Sequence, residues 1–321
     1  MRAGELRGPL ARWAWLIYLL TGTVVLAAFL FVPGVRVGPL FNLIAVSAPI
    51  AILIGLRWHR PDERLPWFLV AFGQTLFVAG DVITYNYERF FGTEAPFPSI
   101  GDALYLSVYP FLIAGVLLLV RRRAPGRDRA SLIDSLIVGI GVGTISWVFL
   151  IAPYVHDPTL TLVQKFVAMG YPLMDLALLT VAVRLAVGTG ERPAAFYLFM
   201  AAVGALFVTD SLYGWIVLHG GYDNTTGFLE GGWGLFYLLL GASALHPSMT
   251  RLGEPTEEET RAHPGRRLLI LAAASLLAPA INILQTFRHE TTVPFVSGAI
   301  FVLVLIRLNR LMVDVNEYRR T

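Results

Sequence analysis

Ten long apolar runs decide what this chain can become. They lie at residues 13–31, 38–56, 66–86, 101–120, 132–153, 163–185, 195–218, 228–245, 267–287 and 293–312. A helix crossing ~30 Å of hydrocarbon needs ~20 such residues. Barrel strands are shorter and alternate, so helices are the only spanning element that fits. The expected fold is all-α, a polytopic membrane protein of about ten transmembrane helices. Composition agrees: 56% of the 321 residues are hydrophobic and 15% are charged, where a soluble domain carries about 25% charged residues. The first run follows Arg2, Arg7 and Arg12, as in a signal peptide. It is as long as a bilayer is thick, however, and no small-residue cleavage site follows, so it reads as a retained span. The chain has no cysteine, which excludes disulfides, thiolate metal sites and cysteine nucleophiles. A net charge of +3 gives no reason to expect a nucleic-acid partner.

The positions of the basic residues set the orientation. With the N-terminus inside and the spans alternating, only Arg36, Arg89, Lys165 and Arg288 of the 25 Lys and Arg residues fall outside. The inside segments hold the rest, including Arg57, Arg60 and Arg64, the cluster Arg121 to Arg129, and Arg266 and Arg267. Both termini are therefore expected in the cytoplasm of a plasma-membrane protein. The membrane domain would cover residues 1–312, and 313–321 would begin a cytoplasmic connecting helix.

The spans running inward repeat one another. Pro49, Pro110 and Pro172, then Gly234, follow at intervals of 61, 62 and 62 residues, the two later prolines preceded by Tyr109 and Tyr171. The inner ends of the same spans carry Arg57, Arg121, Arg184, His246 and Arg307, 61 to 64 residues apart. This periodicity predicts five tandem helical hairpins in one orientation. Pro110 and Pro172 lie inside spans and would kink them.

Ionisable groups inside a span are costly, which makes each a functional candidate. Five carboxylates fall in the outer or middle membrane: Asp81, Asp102, Asp175, Asp210 and Glu230. Asp175 lies ~16 Å and Asp210 ~12 Å from the outer surface at helical rise. Their companions follow helical spacing. Asp102, Tyr105 and Tyr109 share a face, as do Gln164, Tyr171 and Asp175, and again Glu230, Trp233 and Tyr237. Asp81 has Tyr85 one turn on and Gln74 two turns before, and Asp210 has Tyr213 at i+3. The ligand or signal candidates are Asp81, Tyr85, Asp102, Tyr105, Tyr109, Tyr171, Asp175, Asp210, Tyr213, Glu230 and Trp233. Bundled together, spans three to eight would converge these faces on a polar and aromatic cavity open outward. The competing reading makes the acids glue between helices, with Asp102 and Glu230 as helix caps. Gly139 and Gly143 form a small-residue face that suits packing and leaves a homodimer open. Asn224-Thr225-Thr226 fits a glycosylation acceptor. His156, His219 and His289 have no spacing that makes a metal site.

No phosphate-cradling glycine loop, Gly-x-Ser-x-Gly elbow or His-Glu-x-x-His occurs, and the polar loops are short. The chain is therefore not expected to be an enzyme by itself, and nothing in it names a cofactor.

Several ordered motifs carry a resemblance. Phe97-Pro98-Ser99-Ile100-Gly101-Asp102-Ala103-Leu104-Tyr105 precedes Tyr109-Pro110. Tyr171-Pro172-Leu173-Met174-Asp175 and Asp210-Ser211-Leu212-Tyr213 follow, then Gly231-Gly232-Trp233 and Ala244-Leu245-His246-Pro247-Ser248-Met249. Over roughly residues 66–250 the chain resembles the multi-span N-terminal region of actinobacterial-type membrane proteins with GGDEF and EAL output domains. These outputs are diguanylate cyclases and cyclic-di-GMP phosphodiesterases, and relatives precede histidine kinases. The resemblance implies a sensory input module for cytoplasmic signalling, acting on an output domain or a partner protein. Neither output signature occurs before Thr321, so no catalytic activity carries over. Two other readings stand beside it. A transporter would need polar residues along a complete path, and the inner halves of these spans are almost purely apolar. An intramembrane enzyme would need a His or Lys beside its acids, and none is spaced to serve.

Overall fold

The computed structural model describes residues 9–32, 38–123, 129–188, 190–220 and 227–254, together with 302, 303 and 306. Expected span nine, all of span ten but residues 302, 303 and 306, the connecting helix and the Asn224 motif lie outside the described residues, as do Arg2, Arg7 and His289. The described residues contain no strand. They form α1 (Pro9–Phe31), α2 (Gly38–His59), α3 (Leu65–Tyr85), the short α4 (Tyr87–Phe91), α5 (Ile100–Arg123), α6 (Arg129–Ser146), α7 (Ala152–His156), α8 (Leu162–Val187), α9 (Ala194–Leu218) and α10 (Phe228–Leu245). Eight stretches are long and apolar enough to cross a bilayer, with α6 and α7 counting as one span over Arg129–His156. The chain is a multi-pass membrane protein, and these eight coincide with the first eight apolar runs.

Local chemistry explains the boundaries. Pro66 sits in the first turn of α3, where its missing N–H costs nothing. Gly92 ends α4 at φ 71°, a left-handed conformation that favours glycine. Thr161 and Gln164 close a reciprocal capping box at the start of α8. Between α6 and α7 the helix widens to a π turn over Trp147–Ile151. Pro153 accounts for this: it has no N–H to give Phe149, and its ring crowds that carbonyl. Pro49, Pro110 and Pro172, by contrast, lie within unbroken helical assignments.

Six helices close a ring in the order α2, α3, α5, α8, α9, α10 and back to α2. Outside it, α1 packs on α10, and α6 packs on α8. In lipid there is little hydrophobic drive between helices, so close backbone approach has to supply contact. Gly73 of α3 lies against α5 and Gly115 of α5 against α3, which lets that pair meet along its length. Gly139 and Gly143 face Thr180 and Leu176 of α8, so this small-residue face is occupied within the chain.

At the arginine-rich end, Arg123 locks the ring. It is buried, and its guanidinium donates to three carbonyls: Leu252 at 2.6 Å, Leu185 at 3.2 Å and Glu191 at 2.6 Å. It thereby ties α5 to the last turn of α8, to the α8–α9 loop and to the turn after α10. A lysine carries the same charge but cannot present a planar fork to three acceptors. Arg123→Lys is expected to cost about 2 kcal/mol, read as a lower unfolding midpoint in detergent. An unchanged midpoint would show that these three bonds do not hold the end together.

Candidate functional site

The ring brings the candidate acids and tyrosines into one connected interior. α3 supplies Asp81. α5 places Tyr105 and, a turn deeper, Tyr109. α10 places Trp233 and Tyr237 one turn apart. Asp81 accepts hydrogen bonds from Tyr105 at 2.9 Å and Tyr237 at 2.6 Å, so one carboxylate joins α3, α5 and α10. Tyr109 reaches the other way. Its hydroxyl lies 2.7 Å from Asp175 and 3.0 Å from Asp210, joining α5 to α8 and α9. Trp233 donates its indole N–H to the second oxygen of Asp210 at 2.6 Å.

The α5–α8 pair exchanges bonds reciprocally. Tyr109 of α5 meets Asp175 of α8, while Tyr171 of α8 donates to Asp102 of α5 at 2.7 Å. The two Tyr-Pro tyrosines therefore occupy corresponding places on neighbouring helices, each donating to an acid on the other. The second oxygen of Asp102 accepts the backbone N–H of Ser99 at 2.7 Å and its hydroxyl at 2.9 Å. Asp102 thus caps α5 and bridges to α8 at once, combining both readings offered for it.

Burial is graded. Asp102, Tyr171, Asp210 and Trp233 are half-buried, and Tyr213 is somewhat more open, with its ring against Trp233 at 5.7 Å. Asp81, Tyr109, Asp175 and Tyr237 are buried. Below them the core is filled by Trp67, Leu112, Val116, Phe199 and Leu206. Apolar side chains thus close the site towards the arginine end.

Three features concern hydrogen-bond supply. First, the Tyr109 hydroxyl has one proton and two carboxyl neighbours, so it can serve only one at a time. Second, Gln74 is fully buried on α3, two turns from Asp81, and neither end of its amide has a partner among the described residues. Third, Glu230 is buried in the first turn of α10, and its Oε2 has no partner among the described residues. Ion pairs lie elsewhere, joining Arg122 to Asp62 and Glu63, and Arg251 to Glu191.

Of the candidates, Asp81, Asp102, Tyr105, Tyr109, Tyr171, Asp175, Asp210 and Trp233 are thus joined by hydrogen bonds, and Tyr213 packs on Trp233. Tyr85, in the last turn of α3, is partly exposed, with its ring edge-on to Phe41 at 5.7 Å. The shared face of Asp102, Tyr105 and Tyr109 divides: Asp102 turns to α8, Tyr109 to α8 and α9, and Tyr105 to α3. Gln164 is spent on the capping box and on the carbonyl of Phe97. Tyr237, read in the sequence only as a companion of Glu230, proves to be a donor to Asp81. His156 and His219 bond to carbonyls one turn back in their own helices, and no cluster among the described residues could hold a metal ion. Comparison with protein-family models, with curated proteins and with solved structures gives no match.

Proposed function

We propose that this chain is a membrane-embedded sensory input module, in which a cationic ligand or a proton is read by the acids between α5, α8, α9 and α10. The observation that carries this reading is the single Tyr109 hydroxyl between Asp175 and Asp210. Such an arrangement has two hydrogen-bonded states of similar geometry, and a charge arriving at either acid favours one of them. Because each acid sits on a different helix, changing partners changes which helices are tied. The closed, apolar lower half of the ring favours sensing over passage of a solute.

In this reading both termini lie in the cytoplasm, and ten spans form five hairpins in the plasma membrane. Helix movement is passed to a cytoplasmic output domain or partner protein of the cyclic-di-GMP or kinase type. The packing of α3 on α5, α6 on α8 and α9 on α10 supports the hairpin arrangement. The motif resemblance supports the signalling role.

The test uses the full chain in proteoliposomes, with protons as the probe. External pH is lowered from about 8 to about 5, a window that stays above the ordinary carboxyl value of ~4 and so reaches only carboxyls raised by burial. Intrinsic tryptophan fluorescence and backbone hydrogen exchange in α10 are followed, with an interior pH dye reporting flux. The expected result is a change in α10 without sustained proton entry, lost in Asp175→Asn/Asp210→Asn. An identical change in the double variant would refute the assignment of these acids. Sustained entry would favour a permease instead.

A further inference from the structure

The opposite end of the molecule holds a cavity that the acid network does not use. It encloses about 560 Å³, within the ~300–1,000 Å³ typical of small-molecule sites. Its walls come from the start of α1 (Arg12, Trp13 and Trp15), the end of α2 (His59) and the turn after α10 (His246 and Arg251). Four of these six side chains are cationic or can become so, and no residue lining the cavity is acidic.

The histidines are held in place. His59 donates Nε2–H to the Leu245 carbonyl at 2.8 Å. His246 accepts the Ser248 backbone N–H at Nδ1, 3.1 Å away, which leaves Nε2 to carry the ring proton. Its ring packs against Trp15 at 4.9 Å. Arg251 spends one N–H group on Glu191 at 2.9 Å, out of the five that a guanidinium offers. Arg12 is exposed and lies 5.9 Å over the Trp13 ring.

We infer that this cavity is a binding site for a phosphate-type oxyanion. Guanidinium and imidazole N–H groups are the donors that such oxygens take most strongly. The cationic groups also crowd one another: burial pushes the pKa of His246 below the ordinary histidine value, and His59 and Arg251 push it further down. An oxyanion among them would relieve that repulsion. The cavity sits at the ends of three helices, two of them membrane-crossing walls that finish beside it, with Trp13 half-exposed at its edge. That is headgroup level, so the oxyanion can come from an anionic lipid or from a soluble phosphate.

The experiment separates these sources. The full chain is placed in nanodiscs of phosphatidylcholine alone. Phosphatidic acid is added to the bilayer in one arm and inorganic phosphate to the buffer in the other. The thermal midpoint is read by tryptophan fluorescence. The wild-type midpoint should rise with at least one of them, and Arg12→Ala/Arg251→Ala should weaken that apparent affinity ~10-fold or more. A rise with lipid only, with phosphate only, or with both supports the site and identifies the source. No rise in either arm overturns it, as does an undiminished rise in the double variant. Should the double variant fail to fold in phosphatidylcholine, Arg12→Gln, at an exposed position, supplies the same comparison. Neither arm depends on the acid network, so this site and the sensory reading stand or fall separately.

Discussion

Tyr109→Phe should destabilise the protein by about 3 kcal/mol and uncouple α5 from α8 and α9. A buried polar group that loses its donor pays most of its desolvation cost, and more when it is charged. Asp175 is 4% exposed, and Tyr109 is its hydroxyl donor. Without that hydroxyl, Asp175 is left facing the carboxyl of Asp210. Tyr171→Phe supplies the contrast. Asp102 keeps both bonds from Ser99 and is half-buried, so its loss should be about 1 kcal/mol. Unfolding midpoints in a fixed detergent would rank the two. A double-mutant cycle with Asp175→Asn isolates the shared term, because the amide removes the charge that the missing hydroxyl left behind. If Tyr171→Phe costs as much as Tyr109→Phe, the deeper pair is not the energetic centre of the network.

Hydropathy and helical period made much of this legible in advance. Length and apolarity located the first eight spans within a few residues, because the bilayer imposes both. The spacing of acids and aromatics along single helices showed which faces are polar. Periodicity cannot show which helix a face meets. Helical spacing therefore groups Tyr105 with Asp102 and Tyr109, although it turns to α3, and gives Tyr237 no companion beyond Glu230 and Trp233. The partner of Tyr237, Asp81, lies 156 residues away. The cavity at the arginine end was hidden for the same reason. His59 and His246 are unremarkable at the ends of their separate helices and become a pair only when α2 and α10 pack. The π turn before Pro153 was within reach of the sequence, since an internal proline always disturbs the carbonyl four residues back.

That α2–α10 contact is also where the smallest substitution should have a large effect. Gly55 of α2 lies so close to α10 that an added Cβ would run into the carbonyl oxygen of Ala244 and stand 2.7 Å from its carbonyl carbon. The obstacle is backbone and cannot rotate away, so the two helices would have to separate. Gly55→Ala is therefore expected to cost about 3 kcal/mol, the upper range for overpacking a core. The consequences should extend beyond the contact. α10 carries Tyr237 and Trp233, the donors to Asp81 and Asp210, and the next turn of α2 carries His59, whose bond to Leu245 positions it beside the cavity. Two other glycines control for the change of residue type. At Gly143 a Cβ would meet only Leu176 methyl carbons at 3.6 and 4.0 Å, and at Gly204 it would meet nothing within 4 Å. Alanine at either should be neutral or stabilising by up to about 1 kcal/mol, the helix preference of alanine over glycine. Equal midpoints for Gly55→Ala and Gly143→Ala would mean that α2 and α10 do not approach this closely in the membrane, and that α10 does not couple the acid network to the arginine end.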